Sequence, residues 1–387
     1  MSQARLHIFA LIDAFGWELA EKLGFLADAL PHRAPLQTVL GYSSGAIPTM
    51  LTGKTPAEHG HWNLFYYDPD RAPFRWLRHF AFLPDGVLNH RVTRKLLKEL
   101  GRRALGLGSL FEVCVGPRLL PWFNFVEKRN IYAPGGIPGT QSIFDRLQAA
   151  GVRHRVYTYH RWTDAEILRL ARRDVESGAA DFYFLYLSEI DAFLHHHRDD
   201  DAAIKERLAV YAGELGEVLA VARRRDPDAR MTVLSDHGMT PVRSHHDLAR
   251  DIDALGLRMP GDYLAVYDST MARFWFFSET SRRRIVETLA RLACGRILGT
   301  EELETLGINF ADGRYGHLVF LLSPGGLISS SDFNASGWTP TGMHGYHPDD
   351  AYSDAVFLST HEPPRPMRTI TDAHACMTRA ITEASTR

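Results

Sequence analysis

The chain has 387 residues, of which 45% are hydrophobic and 23% are charged, a composition typical of a globular protein that buries a large core. Its formal net charge of −2 provides no long-range attraction for a nucleic acid polymer or an anionic membrane, so neither is an expected partner. The three cysteines, Cys114, Cys294 and Cys376, are widely spaced. This spacing predicts isolated thiols rather than a disulfide framework or a zinc ribbon.

The first apolar run, Leu6 to Ile12, is interrupted by Asp13 and is too short for the hydrophobic region of a signal peptide. No stretch of the sequence approaches the ~20 apolar residues that a membrane-spanning helix requires. The expected location is therefore cytoplasmic. The oligomeric state stays open.

The same run predicts a strand that is buried on both faces of a parallel sheet. Asp13 would then lie at the carboxyl edge of the sheet, where α/β proteins build their sites, although an isolated Asp at such a place more often caps a helix. A second run, Leu36 to Leu40, predicts another buried strand, and Tyr42 to Gly60 predicts a turn into a short helix. Such a turn places a hydroxyl, here Ser43, beside unpaired helix N–H groups, ready to attack an electrophile. The alternative is that the serines only cap the helix.

Residues 65–140 show no regular alternation of strands and helices, which predicts an irregular insertion near the site. Within it, Arg91 to Leu105 predicts a basic amphipathic helix. Two roles are open for the aromatic residues Trp62, Phe65 and Tyr66: they flank a nucleobase, or they only pack an irregular subdomain.

Regular alternation returns at Gln141. The capping box Thr163–Glu166 opens a helix that stops at Gly178, and the apolar run 181–187 predicts a buried strand. Apolar residues at helical spacing over 204–222 predict a long crossover helix, and the strand 231–234 ends at Ser235-Asp236-His237-Gly238. This order predicts an α/β fold with a mostly parallel sheet between layers of helices.

Between residues 244 and about 341 the pattern changes. Predicted strands at Arg273–Phe277 and Leu318–Leu322, with a helix at Arg283–Ala293, indicate a smaller α+β unit. A final strand near Ala355 to Leu358 and a C-terminal helix return to the core. The expected organisation is a catalytic core of 1–64, 141–243 and 342–387, an aromatic and basic insertion of 65–140, and an α+β cap insertion of 244–341.

Carboxylate and imidazole side chains follow three predicted strands and recur in a fourth segment. Asp191 and His195 would come together if their segment forms a helical turn. Each residue has a plainer alternative, such as a helix cap, a solvated His195–His197 run or an ordinary loop. Ligands of this mixture without thiolates suit zinc, with manganese as an alternative. Seven candidates are enough for two closely spaced divalent ions: Asp13, Ser43, Asp191, His195, Asp236, His237 and His344.

The segment around Ser43 resembles the nucleophile segment of the alkaline phosphatase superfamily. It is most similar to the nucleotide pyrophosphatase/phosphodiesterase branch, the type I phosphodiesterases, in which a Thr or Ser precedes a T-G-x-x-P-x-x-H-G run. The matching residues here are Thr52-Gly53, Pro56 and His59-Gly60. The sulfatase branch instead needs a Pro and an Arg where this chain has Gly45 and Ile47, so that branch is disfavoured.

The resemblance implies an alkaline phosphatase-like core and a role for each candidate. Asp13, Ser43, Asp236 and His237 match the ligands of the metal on the nucleophile side, and Asp191, His195 and His344 match those of the other metal. Ser43 would be the nucleophile, and the Ser44 N–H and the Asn63 side chain would donate to phosphate oxygens. The register of Asn63 is about one residue away from the family position, and a turn-forming Asn is its alternative.

The implied activity is metal-dependent hydrolysis of a phosphodiester or pyrophosphate bond in a small molecule, through a phosphoseryl or nucleotidyl-seryl intermediate. No Arg follows Ser43 directly, which favours a diester because a monoester needs a further cation, although Arg71 or Arg75 could supply one. The first choice of substrate is a nucleoside diphosphate derivative; sugar phosphates, phospholipid headgroups and phosphonates are open. The alternatives are a phosphomonoesterase with the same two metals, and a metal- and nucleotide-binding protein without turnover.

Overall fold

The structure, a computed structural model, describes residues 5–80, 82–107, 116–126, 128–329, 331–332 and 338–385. Cys294 and Cys376 are free thiols, as predicted. Cys114 lies outside the described residues. No helix in the described part of the chain is both long enough and apolar enough to cross a membrane.

Sixteen strands lie within the described ranges. In chain order they are β1 His7–Ile12, β2 His32–Leu36, β3 Phe65–Tyr67, β4 Phe123–Phe125, β5 His154–Tyr157, β6 Phe182–Leu187, β7 Arg230–Leu234, β8 Thr240–Pro241, β9 Ser244–His246, β10 Tyr263–Tyr267, β11 Met271–Phe276, β12 Gly295–Ile297, β13 Leu318–Leu322, β14 Gly326–Ile328, β15 Gly342–Met343 and β16 Ala355–Ser359.

The same ranges contain thirteen α-helices. They are α1 Trp17–Lys22, α2 Ser43–Thr52, α3 Pro56–His59, α4 Asp85–Leu88, α5 Arg91–Ala104, α6 Ile143–Ala149, α7 Asp164–Ser177, α8 Glu189–His197, α9 Asp201–Arg225, α10 Leu248–Asp253, α11 Glu279–Leu289, α12 Thr300–Thr305 and α13 Ala373–Ser385. Three 3₁₀ turns, at Arg75–Phe80, Leu120–Trp122 and Ile370–Asp372, complete the described elements.

A six-stranded sheet with the order β2-β16-β7-β1-β6-β5 forms the centre of the molecule. Strands β5, β6, β1 and β7 pair in parallel, and β16 runs antiparallel to both of its neighbours. The central strands β1 and β6 are buried along their whole length, as continuous apolar runs in parallel sheets usually are. The predicted fold class, a mostly parallel sheet in an α/β protein, is confirmed.

Helices cover both faces of this sheet. Ile8 and Ala10 of β1 point into a core shared with α1, α7 and α9. Their neighbours Phe9 and Leu11 point into a second core shared with α2, α6 and α13. Successive side chains of a strand face opposite sides, so one short apolar strand serves both cores.

Three elements differ from the sequence-based expectation. The helix predicted at Arg283–Ala293 lies four residues earlier, as α11. The second strand is not Leu36–Leu40 but β2, which ends at Leu36 and includes Pro35. It is an edge strand of the sheet, the place where Pro, which lacks an N–H, is tolerated. The spacing of Leu19, Leu23 and Leu30 predicts a helix through this segment. The helix α1 ends at Lys22 because Gly24 and Leu26 adopt positive φ angles of 56° and 48°, which no α-helix accommodates.

A second, four-stranded sheet has the order β10-β11-β13-β12 and is antiparallel throughout. One face of it packs against α10 and α11. Trp275 and two neighbouring residues of the other face join the core of the short β3–β4 pair. The small sheet lies within 244–341 and the β3–β4 pair within 65–140; the domain boundaries themselves stay a prediction.

A buried ion pair ties these two parts together. Asp268 and Arg273 are both fully buried, and Arg273 Nε donates to Asp268 Oδ2 at 2.8 Å. Arg273 Nη1 also donates to the carbonyl oxygen of Phe65 at 3.3 Å, and its guanidinium lies 5.0 Å from the centre of the Phe65 ring. A single arginine therefore connects the hairpin of β10 and β11 to the insertion.

Replacing Asp268 with Asn is expected to lower the free energy of unfolding by about 3–5 kcal/mol, because the buried Arg273 charge loses its counterion. Chemical denaturation followed by circular dichroism measures the change. The double variant Asp268→Leu with Arg273→Met should recover most of the loss. Asp262→Asn, which breaks the exposed pair with Arg258, is the control and should leave the stability nearly unchanged. An Asp268→Asn protein as stable as the wild type would contradict the stabilising role of the buried Asp268–Arg273 pair.

Candidate active site

The candidate residues meet at the carboxyl edge of the central sheet. Asp13 follows β1, Asp191 lies in the first turn of α8 just after β6, and Asp236 and His237 follow β7. Because β7, β1 and β6 are adjacent parallel strands, their carboxyl ends lie side by side, as ligand sites in α/β sheets require.

Ser43 is the first residue of α2, and its hydroxyl faces this edge. Ser43 Oγ lies 3.0 Å from His237 Nε2 and 3.5 Å from Asp13 Oδ1. His237 Nδ1 lies 3.0 Å from the Gly238 carbonyl oxygen. A carbonyl only accepts, so we assign the proton to Nδ1, which leaves the Nε2 lone pair directed at the site.

The start of α2 needs glycine close to Ser43. A Cβ on Gly45 would lie 2.9 Å from the carbonyl oxygen of Trp62, and that same oxygen accepts the Ser44 hydroxyl at 3.0 Å. The helix therefore rests directly on the Trp62 backbone. The Ser44 N–H, in the first turn of the helix, has no intrahelical acceptor and is free to bind an anion.

Asp236 completes this side of the site. Its side chain is fully buried; Oδ1 accepts from the Ala14 N–H at 3.4 Å, and Oδ2 lies 3.3 Å from His237 Nε2. Oδ2 has no hydrogen-bond donor among the described residues. A buried carboxylate oxygen without a donor is costly, and a cation would satisfy it.

The second group contains Asp191, His195 and His344. The Nε2 atoms of both histidines lie 3.4 Å from Asp191 Oδ1. His195 Nδ1 lies 2.9 Å from the Gly342 carbonyl oxygen, a contact that orients the ring as metal-binding histidines usually are. The predicted helical turn from Asp191 to His195 is confirmed, and the neighbouring His196 and His197 are exposed.

The two groups adjoin each other. The rings of His237 and His344 stack with their centres 3.9 Å apart. Potential ligand atoms of Asp191, His195 and His344 lie within 4.8 Å of one another, and so do those of Asp13, Asp191 and His237. Asp191 is thus near both groups, whereas the resemblance placed it with one.

The pKa shifts of the site residues show a crowding of negative charge that a bound cation would relieve. Burial, with the charges of Asp236 and Asp191, raises the pKa of Asp13 well above its usual value. Burial would raise the pKa of Asp191 too, but its contact with His195 and the charges of the histidines outweigh it and lower that pKa. Burial, together with His237, lowers the pKa of His344 well below its usual value, so this imidazole is neutral and can act as a ligand. The donor set fits divalent cations.

A cavity of about 500 Å³ opens beside Ser43. Its wall includes four tyrosines, and its described lining contains no Lys or Arg. The hydroxyl of one of them, Tyr186, donates to Asp13 Oδ2. Trp338, also in the wall, meets the His195 ring edge to face at 5.3 Å. The tyrosines are Tyr42, Tyr132, Tyr159 and Tyr186, none of which the sequence singled out.

The aromatic residues proposed from the sequence are not in this wall. Trp62 is buried, and its indole N–H donates to the Leu40 carbonyl at 2.6 Å. Phe65 is buried against Phe123, and Tyr66 packs near Tyr315. Packing, the plainer alternative, is what the structure shows for these three.

Asn63 is fully buried and does not line the cavity. Its side-chain oxygen and nitrogen have no hydrogen-bond partner in the described part of the chain. The amide is therefore available to a ligand, but its reach to a bound phosphate stays a prediction.

The small sheet holds the loop before Ser43. The Thr270 N–H donates to the Tyr42 hydroxyl at 3.2 Å, and the Thr270 hydroxyl donates to the Gly345 carbonyl at 2.8 Å. Gly345 has a φ of 91°, and a Cβ there would lie 2.8 Å from Tyr42 Cε1 and 2.9 Å from Thr270 Oγ1. One threonine thus joins the residue before Ser43 to the residue after His344.

The family model for type I phosphodiesterases and nucleotide pyrophosphatases matches residues 12–347. The chain belongs to this family. Type I phosphodiesterases and nucleotide pyrophosphatases hydrolyse phosphodiester or pyrophosphate bonds, so the predicted family and enzyme class are confirmed. The metal-dependence of the family agrees with the Asp and His groups described above.

Solved structures share the fold of this phosphodiesterase family member. Murine ectonucleotide pyrophosphatase/phosphodiesterase 5 matches with a TM-score of 0.68 and 16% identity, over 98% of this chain and 95% of that one. The human protein matches with a TM-score of 0.66 and 14% identity, over the same shares. An inactive variant of the murine protein in complex with AMP gives 0.67 and 16%, again over 98% and 95%. No curated protein sequence matches the chain.

Replacing His195 with Gln is expected to lower the amount of divalent metal that the protein retains, because it deletes a nitrogen donor of the Asp191 group. Metal analysis after dialysis against zinc measures the stoichiometry without reference to activity. His197→Gln is the matched control, since His197 lies in the same helix but is exposed. Equal metal content in both variants would contradict the site.

Proposed function

We propose that this protein hydrolyses a phosphodiester or pyrophosphate bond in a small nucleotide, with Ser43 as the nucleophile beside two divalent metal ions. Zinc is the first choice of metal and manganese the alternative. The observation that carries the proposal is the position of Ser43 Oγ, at the start of a helix and 3.0 Å from His237 Nε2, beside the buried carboxylates of Asp13 and Asp236.

The residues divide into two sets of ligands. Asp13, Asp236 and His237, with Ser43, would hold one ion, and Asp191, His195 and His344 would hold the other. When bound, such ions supply Lewis-acid stabilisation to the attacking and leaving oxygens of an in-line displacement. Tyr186 orients Asp13 through its hydroxyl, and Gly238 and Gly342 orient His237 and His195.

In the reaction, Ser43 Oγ gives its proton to solvent and forms a bond to phosphorus, while the bond to the leaving oxygen breaks and that oxygen takes up a proton from water. The product of this step is a phosphoryl ester of Ser43, which water then hydrolyses to restore the hydroxyl. The Ser43 hydroxyl lies 3.0 Å from His237 Nε2. When an ion is bound, the lone pair of this nitrogen would be directed at the ion, with Ser43 Oγ beside it. The Ser44 N–H is placed to donate to a non-bridging oxygen as charge develops there.

The cavity supports a diester over a monoester. A monoester brings a third charged oxygen, and no Lys or Arg among the described lining residues is placed to neutralise it. The tyrosine wall instead suits an uncharged or aromatic substituent, such as a nucleoside, because tyrosine offers an apolar ring with a polar hydroxyl. AMP, the ligand in the murine complex, carries a nucleoside and is a monoester, so it corresponds to the nucleoside monophosphate that cleavage of such a diester would release. A cytoplasmic location remains part of the proposal.

Ser43→Ala is expected to lower kcat for bis-p-nitrophenyl phosphate by at least about 10³-fold, because no other hydroxyl takes its place. Ser44→Ala keeps its backbone N–H and loses only the hydroxyl that binds Trp62, so it should retain most of the activity. Mass spectrometry of the quenched wild-type reaction should detect the serine ester. An unchanged rate in Ser43→Ala would reject the nucleophile.

Parallel rates on a diester and a monoester test the substrate class. With zinc or manganese present, bis-p-nitrophenyl phosphate should react faster than p-nitrophenyl phosphate, and dinucleotides or nucleotide sugars should release a nucleoside monophosphate. A faster rate on the monoester would favour a phosphomonoesterase. Metal binding without turnover of any of these compounds would indicate a non-catalytic protein.

A further inference from the structure

The predicted basic amphipathic helix exists as α5, and one side of it is exposed apolar surface. Leu97 and Gly101 are its buried positions. Val92, Leu96 and Leu100, spaced four residues apart, are 53%, 66% and 37% exposed. Residues at this spacing form a single stripe along a helix, and that stripe does not face the protein core.

Further apolar side chains are exposed just before this helix. Phe80, Phe82 and Val87 are 41%, 78% and 51% exposed. The Val87 carbonyl accepts the Thr93 hydroxyl at 2.8 Å, which joins α4 to the first turn of α5. Six of the ten most exposed large apolar side chains in the described residues therefore fall between residues 80 and 100. We call this set the exposed apolar ridge: Phe80, Phe82, Val87, Val92, Leu96 and Leu100.

The charge around the ridge is strongly positive. Residues 71–105 contain nine Lys and Arg but two Asp and Glu, a net charge of +7 in a chain whose total is −2, so the remaining residues carry −9. On α5 itself the one carboxylate, Glu99, pairs with Arg102 and Arg103 at 3.4 and 2.9 Å. The low overall charge, from which no membrane partner was expected, conceals this asymmetry.

We propose that the exposed apolar ridge and the basic residues of α5 bind the surface of an anionic lipid bilayer. A helix with Lys and Arg beside Leu, Val and Phe is the composition of helices that lie in the membrane interface. Anionic headgroups would attract the Lys and Arg side chains of α5, and the exposed apolar ridge would enter the boundary between headgroups and acyl chains. Because Phe82 and Leu96 are 78% and 66% exposed, they are available to a fluid lipid surface, which needs no preformed pocket.

The surface belongs to the same insertion that supplies part of the cavity. Ile131 and Tyr132 line the cavity beside Ser43, and β3 and β4 pair within this segment. Adsorption through α5 would therefore hold the enzyme at a lipid surface through a segment that also lines the cavity beside Ser43. The proposal does not depend on hydrolysis, since binding is measured on the protein alone.

Co-sedimentation with vesicles tests the proposal. Wild-type protein should sediment with vesicles of equal parts phosphatidylcholine and phosphatidylglycerol, and not with pure phosphatidylcholine. Raising the salt concentration should weaken binding, because exposed charges are screened. Lys95→Gln should weaken it about five-fold, and Leu96→Gln about ten-fold.

Two matched variants on α9 serve as controls. Val210 is 56% exposed and Lys205 is exposed, so Val210→Gln and Lys205→Gln make the same chemical changes on another helix and should leave vesicle binding unchanged. Circular dichroism should show all four variants folded. Absence of binding to anionic vesicles, or equal losses in the α9 variants, would overturn the proposal.

Sedimentation velocity separates a lipid surface from an interface between two copies of the chain. The wild-type protein and the Leu96→Gln variant should have the same mass in solution without lipid. A wild-type dimer that Leu96→Gln converts to a monomer would show that the ridge is covered by a second copy, and would also overturn the proposal.

Discussion

The repulsion among three aspartates at one buried edge of a sheet is the constraint on which the site depends. Adjacent parallel strands deliver Asp13 and Asp236 directly, and the first turn of α8 delivers Asp191. In a poorly solvated place such charges are costly unless cations are near. Three imidazoles and a serine hydroxyl lie at the same edge. Together with the carboxylates they form a donor set that fits divalent ions.

The sequence predicts this arrangement well because each ligand follows a strong local signal. The apolar runs before Asp13 and Asp236 are too uniform to be anything but buried strands, and the spacing of Asp191 and His195 matches a helical turn. Parallel pairing then brings distant segments to one edge. The resemblance to the family adds the order in which the ligand residues occur along the chain. Local patterns together with this order are therefore enough to predict the cluster of Asp and His residues.

The wall of the cavity is not predictable in the same way. Tyr186 lies within a continuous apolar strand, where nothing in the sequence distinguishes a tyrosine that faces the site from one that packs the core. Tyr132 reaches the cavity from an irregular insertion. Trp62 is buried because the helix after Ser43 rests on its backbone, and Phe65 is buried against Phe123 in a separate core. The position of the edge strand β2 is not predictable either, because its polar, proline-containing sequence lacks the signal of a buried strand.

The contact of Thr270 with Tyr42 and Gly345 has a consequence for how relatives of this protein can diverge. The small antiparallel sheet supplies neither the proposed nucleophile nor a metal ligand, yet its hairpin joins the two loops that carry Ser43 and His344. It is therefore not an interchangeable module. A cap transplanted from another protein would have to provide, at one hairpin tip, a hydroxyl and a backbone N–H in the positions of those of Thr270. Without them, the segments that carry Ser43 and His344 would no longer be held by one shared residue.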